Sequence, residues 1–182
     1  MRKSHEQAFI DGYKPAVLSL KRNPFFEQFI QYPHISPFNS EPESYIFFQS
    51  DHLKKEYEQR LRKAEGIFQY HCIIGQTLGF PQRSVEFFAQ AREILEKMGE
   101  YPEQEKLHEI GVIWAGFYFS SHVDFFDQEV RWLWDRYIHP KAQGDLLDIR
   151  VGNKFYTINF GDIDSLHQLE LEARKQLGLV TV

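Results

Sequence analysis

One cysteine, Cys72, stands in the whole chain of 182 residues. No disulfide can close within the chain, and no cysteine-rich zinc site can be built. Long hydrophobic runs are missing too. The longest apolar stretch, IGVIWAGFYF (110–119), is well short of the about 20 residues a membrane helix needs. The N-terminal MRKSHEQAFIDGYKPAV is basic but lacks the continuous apolar core of a secretory signal, so we expect a soluble, cytoplasmic protein. Positive charge is not in excess: the formal net charge is −5. Residues 101–182 carry 8 basic and 13 acidic groups, while the earlier residues balance. An acidic half repels phosphate backbones and anionic membranes, so a nucleic-acid role needs a local basic patch.

Several catalytic signatures are also missing. There is no glycine-rich phosphate loop, no serine nucleophile elbow and no His-Glu-x-x-His. The His71-Cys72 pair resembles the start of a tyrosine-phosphatase loop, which requires an arginine six residues after the cysteine. Leu78 stands there, and the first arginine after Cys72 is Arg83. A cysteine in mid-helix has no anion cradle, and Cys72 reads as a small buried thiol. Glu105–His108 gives one Glu-x-x-His and no second copy. His71, His108 and His122, with Asp124, are the weak metal candidates, and we expect no metal or cofactor.

Aromatic residues are plentiful: 17 Phe, 9 Tyr and 3 Trp. Prolines 24, 33, 37 and 42 leave room for a short helix near Phe25–Gln31, so residues 1–44 read as a wrapping segment anchored by Phe25, Phe26 and Phe29. YIFFQ (45–49) reads as a strand. Steps of three and four from Leu53 through Tyr57, Leu61, Ala64, Phe68, Cys72 and Gly75 to Leu78 predict one unbroken helix, capped by Ser50 or Asp51 and buried all round beyond Ile67. Pro81 opens a second helix to Met98, with Val85, Phe88, Ala91, Leu95 and Met98 inward and Gly99 at its end. Residues 106–119 suit a strand by composition and a buried helix by length. A further helix starts at a Ser121/Asp124 capping box and stops at Pro140. Residues 146–160 form a hairpin around Gly152-Asn153, and Asp164 or Ser165 caps the last helix. The fold class expected is helix-rich α+β in a single domain, with about five helices and a small antiparallel sheet that includes this hairpin.

Residues 73–95, IIGQTLGFPQRSVEFFAQAREIL, place Gly75 where a second helix crosses, Gly79 at the turn and Val85 packing back. This resembles the helix-turn-helix units of bacterial regulators, including the DNA-reading end of sigma factors. The resemblance implies a two-helix corner whose second helix presents Gln82, Arg83, Ser84, Glu86, Phe87 and Gln90 to a major groove. Gln82, Arg83, Ser84 and Gln90 are the candidate DNA contacts, while Glu86 repels phosphate and Phe87 suits packing. The aromatic residues Phe87, Trp114, Tyr118, Trp132 and Trp134 are candidates for a partner or ligand surface. Trp132 stands out, because it lies off the apolar stripe of Phe126, Val130, Leu133 and Tyr137. The reading that follows is a non-catalytic cytoplasmic binding or regulatory protein that acts through an aromatic helical surface on a protein partner or a second copy of itself. A helix-turn-helix DNA-binding regulator is one alternative, and an enzyme or sensor with a His/aromatic pocket is the other.

Overall fold

A computed structural model describes residues 2–36 and 43–179 of the chain. It is mixed α+β with two antiparallel sheets, where one small sheet was expected, and with more helical segments than five. No described helix is long and apolar enough to cross a membrane.

The N-terminal region is structural and does more than wrap. Ser4 caps α1 (His5–Ile10) by accepting from the Gln7 N–H, and β1 (Ala16–Leu20) follows. After the single-turn α2 (Phe26–Phe29) come β2 (His34–Ile35) and β3 (Ser44–Phe48). The first sheet has the order β1-β3-β2, with Ala16 opposite Phe48 and His34 opposite Phe47. Its two faces bury different sets. Ala16, Ile46 and Phe48 pack with Tyr57, Ile73 and Ile74, whereas Val17 and Phe47 pack with Phe9 and Phe29. Burial on both faces explains why the YIFF run is continuously apolar. Prolines 37 and 42 lie outside the described residues.

The expected long helix is two. Ser50 caps α3 (Asp51–Leu61), which ends before α4 (Gly66–Thr77). The break falls at Gly66, whose φ of +81° a helix cannot continue through. α4 is not buried all round: Ile73 and Ile74 are its buried residues. α5 (Gln82–Met98) begins after Pro81 and ends in the left-handed Gly99. Its inward row holds at Val85 and Ala91, but Phe88 is 47% exposed and Met98 is 76% exposed.

The segment expected over 106–119 begins in the short α6 (Glu103–Leu107) and resolves into strands from residue 109. β4 (Glu109–Trp114) and β5 (Phe117–His122) pair antiparallel around Ala115-Gly116, both at positive φ. That is the backbone pattern of a two-residue hairpin turn whose twist suits the strands. α7 (Phe126–Arg136) therefore starts later than expected, because Ser121 belongs to β5, and the capping box does not form. Pro140 opens the one-turn α8 (Pro140–Gln143). β6 (Leu147–Val151) and β7 (Lys154–Ile158) make the expected hairpin and extend the second sheet to the order β5-β4-β6-β7. Asp162, rather than Asp164 or Ser165, caps α9 (Ile163–Gln176) by accepting from the Ser165 N–H. α7 and α9 cover this sheet. Val130, Leu133, Leu166 and Leu169 pack there with Ile110, Val112, Leu147 and Ile149. The α4–α5 pair lies between the two sheets.

Candidate functional site

The corner between α4 and α5 is tight for the reason its sequence suggests. A methyl group placed on Gly75 would come within 2.7 Å of Val85 Cγ2, so only hydrogen fits at the crossing. Gly79 turns the chain at φ +86°, and its carbonyl accepts from Tyr137 Oη at 2.7 Å. Leucine at 78 and phenylalanine at 80 flank that turn and reach different cores: Leu78 packs toward the first sheet and Phe80 toward the second.

Of the α5 residues expected to meet DNA, Ser84 is buried, Glu86 and Phe87 are half-buried, and Gln82, Arg83 and Gln90 are exposed. The Ser84 N–H donates to Glu129 Oε1 at 2.7 Å, and its hydroxyl donates to Glu129 Oε2. Ser121 Oγ donates to the same carboxylate at 2.8 Å. Pro81 offers no side-chain cap, so Glu129 of α7 supplies the anionic acceptor that the first turn of α5 needs. Burial raises the Glu129 carboxyl above the usual range, and the hydrogen bonds from Ser84 and Ser121 oppose that rise. Arg83 lies over the Phe125 ring, 4.4 Å from its centroid, and donates to Gln128 Oε1 at 3.1 Å. Phe87 packs edge-on to His122 and Phe125. Gln82 and Gln90 remain exposed, and Gln82 donates to Glu86.

Beside this corner opens a cleft of about 610 Å³. Three walls meet in it. α4 contributes His71, Ile74, Gly75 and Leu78, spaced by one helical face; α5 contributes Val85, Phe88 and Arg92; β5 contributes Tyr118, Phe119 and Ser120. Leu18 of β1 and Phe80 of the turn close it. The cleft is the seam between two cores. Leu18, Ile74 and Leu78 belong to the core of the first sheet, and Phe80 and Phe119 pack on that of the second. His71 and Arg92 lie away from the corner, one turn before Gly75 and two turns past Val85, while Ser84 lines it beside Val85 with its hydroxyl held by Glu129. Burial holds the His71 imidazole below its usual pKa, so it is mainly neutral at pH 7. Glu96 stands near both, 3.6 Å from His71 Nε2 and 3.9 Å from the Arg92 guanidinium.

The other expected site residues scatter. Trp114 and Trp134 are core residues. Trp114 stacks between Phe117 and Phe160, and Trp134 packs on Phe160, so neither offers a surface to a partner. Tyr118 lines the cleft and donates to the Lys3 carbonyl at 2.5 Å. Trp132 is 41% exposed and packs edge-on to Tyr137. His108 and His122 are neighbours, with ring centroids 5.3 Å apart, but His71 stands in the cleft on α4 and does not join them. Asp124 accepts from Arg174 at 2.9 Å. Among the described residues no three His, Cys, Asp or Glu side chains gather to hold a metal ion. Burial, then the nearby Glu86 carboxylate, raises the Cys72 thiol above its usual pKa, which works against a nucleophilic role.

Three residues of this region escape the sequence reading. Glu129 sits on the buried stripe of α7 between Phe126 and Leu133, and an acid on an apolar stripe was the available signal. Arg92 follows Phe88 by one turn on the inner row of α5, again a charge within an apolar row. Lys14 left no periodic trace. It is 1% exposed, and its ammonium lies 3.8 Å from the Phe117 ring centroid and 4.5 Å from that of Phe80, with no hydrogen-bond partner among the described residues. Comparison of the chain with protein-family models, with curated proteins and with solved structures returned no match.

Proposed function

We propose that this is a non-catalytic binding protein whose working site is the cleft between α4, α5 and β5, and that its ligand is a small, mostly apolar molecule. The carrying observation is the open volume of about 610 Å³ walled by Leu18, Ile74, Leu78, Phe80, Val85, Phe88 and Phe119. Apolar concavities of roughly 300–1,000 Å³ suit ligands of drug size. An apolar ligand lying in a seam between two cores makes dispersion contacts on both sides. This is the pocket alternative of the sequence reading, taken as binding because the lining is mainly apolar. The protein-partner reading loses Trp114 and Trp134 to the core. The DNA reading loses Ser84 to Glu129 and has Arg83 engaged by Phe125 and Gln128.

The test is titration with Nile red, a neutral apolar fluorophore. We expect saturable binding at one site in the micromolar range (about −8 kcal/mol). Leu78→Trp places an indole in the apex of the cleft and is expected to abolish that binding with the circular dichroism unchanged. Non-saturable binding, or binding that ignores Leu78→Trp, would rule the cleft out.

A further inference from the structure

We infer that the ligand of the cleft is an amphipathic carboxylate, with its apolar chain lying toward the α4–α5 corner and its anionic head held by Arg92. This rests on the cleft being the binding site. It adds the polarity and orientation of the occupant.

The argument begins with the shape of the corner. Gly75 and Val85 touch, so α4 and α5 are closest near the turn. Around that apex the lining is Ile74, Leu78, Phe80 and Val85, with Ser84 beside them already held by Glu129. His71 and Arg92 lie on the same two helices but farther from the turn, so the charge is placed at one end. A chain with an apolar end and a polar end has one favourable orientation in such a cleft.

The second observation is the state of Arg92. Its Nε is buried and finds no hydrogen-bond partner among the described residues. A buried donor left unmade is costly, and the guanidinium is built to meet a carboxylate with two parallel bonds. Only the Nε is buried; the side chain as a whole is 39% exposed, and Glu96, 41% exposed, stands 3.9 Å from the Arg92 terminal nitrogen, beyond a hydrogen bond. Glu96 also stands 3.6 Å from His71. It is therefore a loose counter-ion that an incoming carboxylate can displace toward water. His71 is mainly neutral at neutral pH, so the cation that recognises the head is Arg92. Tyr118 and Ser120, on the β5 wall, already donate to Lys3 and Glu109 and do not compete for it.

The experiment displaces Nile red from the intact protein with three ligands of matched chain: decanoate, decanol and decyltrimethylammonium. Decanoate is expected to bind about tenfold more tightly than decanol, the scale of one charge-assisted hydrogen-bond pair partly screened by water. The cationic amphiphile is expected to bind more weakly than the alcohol. Arg92→Met should erase the difference between decanoate and decanol by weakening decanoate, and Arg92→Lys should restore only part of it. Glu96→Gln should tighten decanoate alone. Equal affinity for acid and alcohol, or a preference that survives Arg92→Met, overturns the inference and leaves the cleft standing. Failure of all three to displace bound Nile red overturns it as well. If Nile red itself does not bind, the cleft reading falls and this inference falls with it.

Discussion

Lys14 is the residue whose setting departs furthest from its nature. A primary amine is enclosed by Phe80 and Phe117, and desolvation lowers its pKa to about 7. The unfolded chain holds that proton up to about pH 10.4. Between these values the folded state binds fewer protons than the unfolded one, so this group makes stability rise with pH from 7 to 10. Lys14→Met is expected to raise the melting temperature at pH 7, with the gain shrinking toward pH 10. A constant difference between the two proteins across that range would show that the amine is not desolvated in solution. The attraction of the two ring faces offsets part of the cost, at about 2 kcal/mol or more for a desolvated cation. Glu129 is the complementary case, a buried acid that is well satisfied. Glu129→Ala strands the Ser84 N–H and the hydroxyls of Ser84 and Ser121, and is expected to cost about 3 kcal/mol in urea denaturation. Glu129→Gln keeps one acceptor and should cost less than half of that. Equal losses for the two would mean that volume, and not hydrogen bonding, sets the value of the site.

Among the elements, the α4–α5 corner shows most directly how a short pattern dictates a shape. Gly75→Ala drives a methyl group into Val85 and is expected to destabilise by about 1–3 kcal/mol. Combined with Val85→Ala, the penalty should be less than the sum of the single changes, because the smaller side chain yields the space. Strict additivity in the double-mutant cycle would mean that the helices do not touch there. The corner was legible because its determinants are local: a residue without a side chain, a turn at positive φ and a proline at a helix start. The 106–119 segment was not legible in the same way. Its run of apolar residues suits a strand by composition and a buried helix by length, and Ala115-Gly116 is a turn that composition alone disguises. The α3–α4 break was missed because the apolar spacing continues through Gly66, although the backbone does not. The capping box at Ser121 failed because that residue is paired opposite Ile110 in a strand.

At the scale of the whole molecule, the cleft has walls from both sheets: Leu18 from the first and Tyr118, Phe119 and Ser120 from the second. A ligand held there stabilises the folded state by mass action, by about 2.7 kcal/mol at a hundredfold excess over its Kd. Saturating decanoate is therefore expected to slow amide hydrogen exchange in β1, α4 and β5 together. Protection confined to one of these elements would place the ligand elsewhere. Such a site has no signature along the chain. Its lining comes from residues 18, 71–92 and 118–120, mostly ordinary apolar positions with a few polar ones, on four separate elements. The sequence carried the information that acts over a few residues: the mixed α+β character, the α4–α5 corner, the 146–160 hairpin, the start and end of α5. The α5 face pointed at DNA in sequence terms, but whether Ser84, Arg83 and Phe87 meet solvent depends on where α7 and β5 dock. The burial of Trp114 and Trp134 was settled by α7 and α9 packing on the second sheet, the enclosure of Lys14 by Phe80 and Phe117, and the cleft by the meeting of α4, α5, β1 and β5. Helix starts and turns are set by neighbouring residues, whereas burial and cavities are set by which distant faces come together.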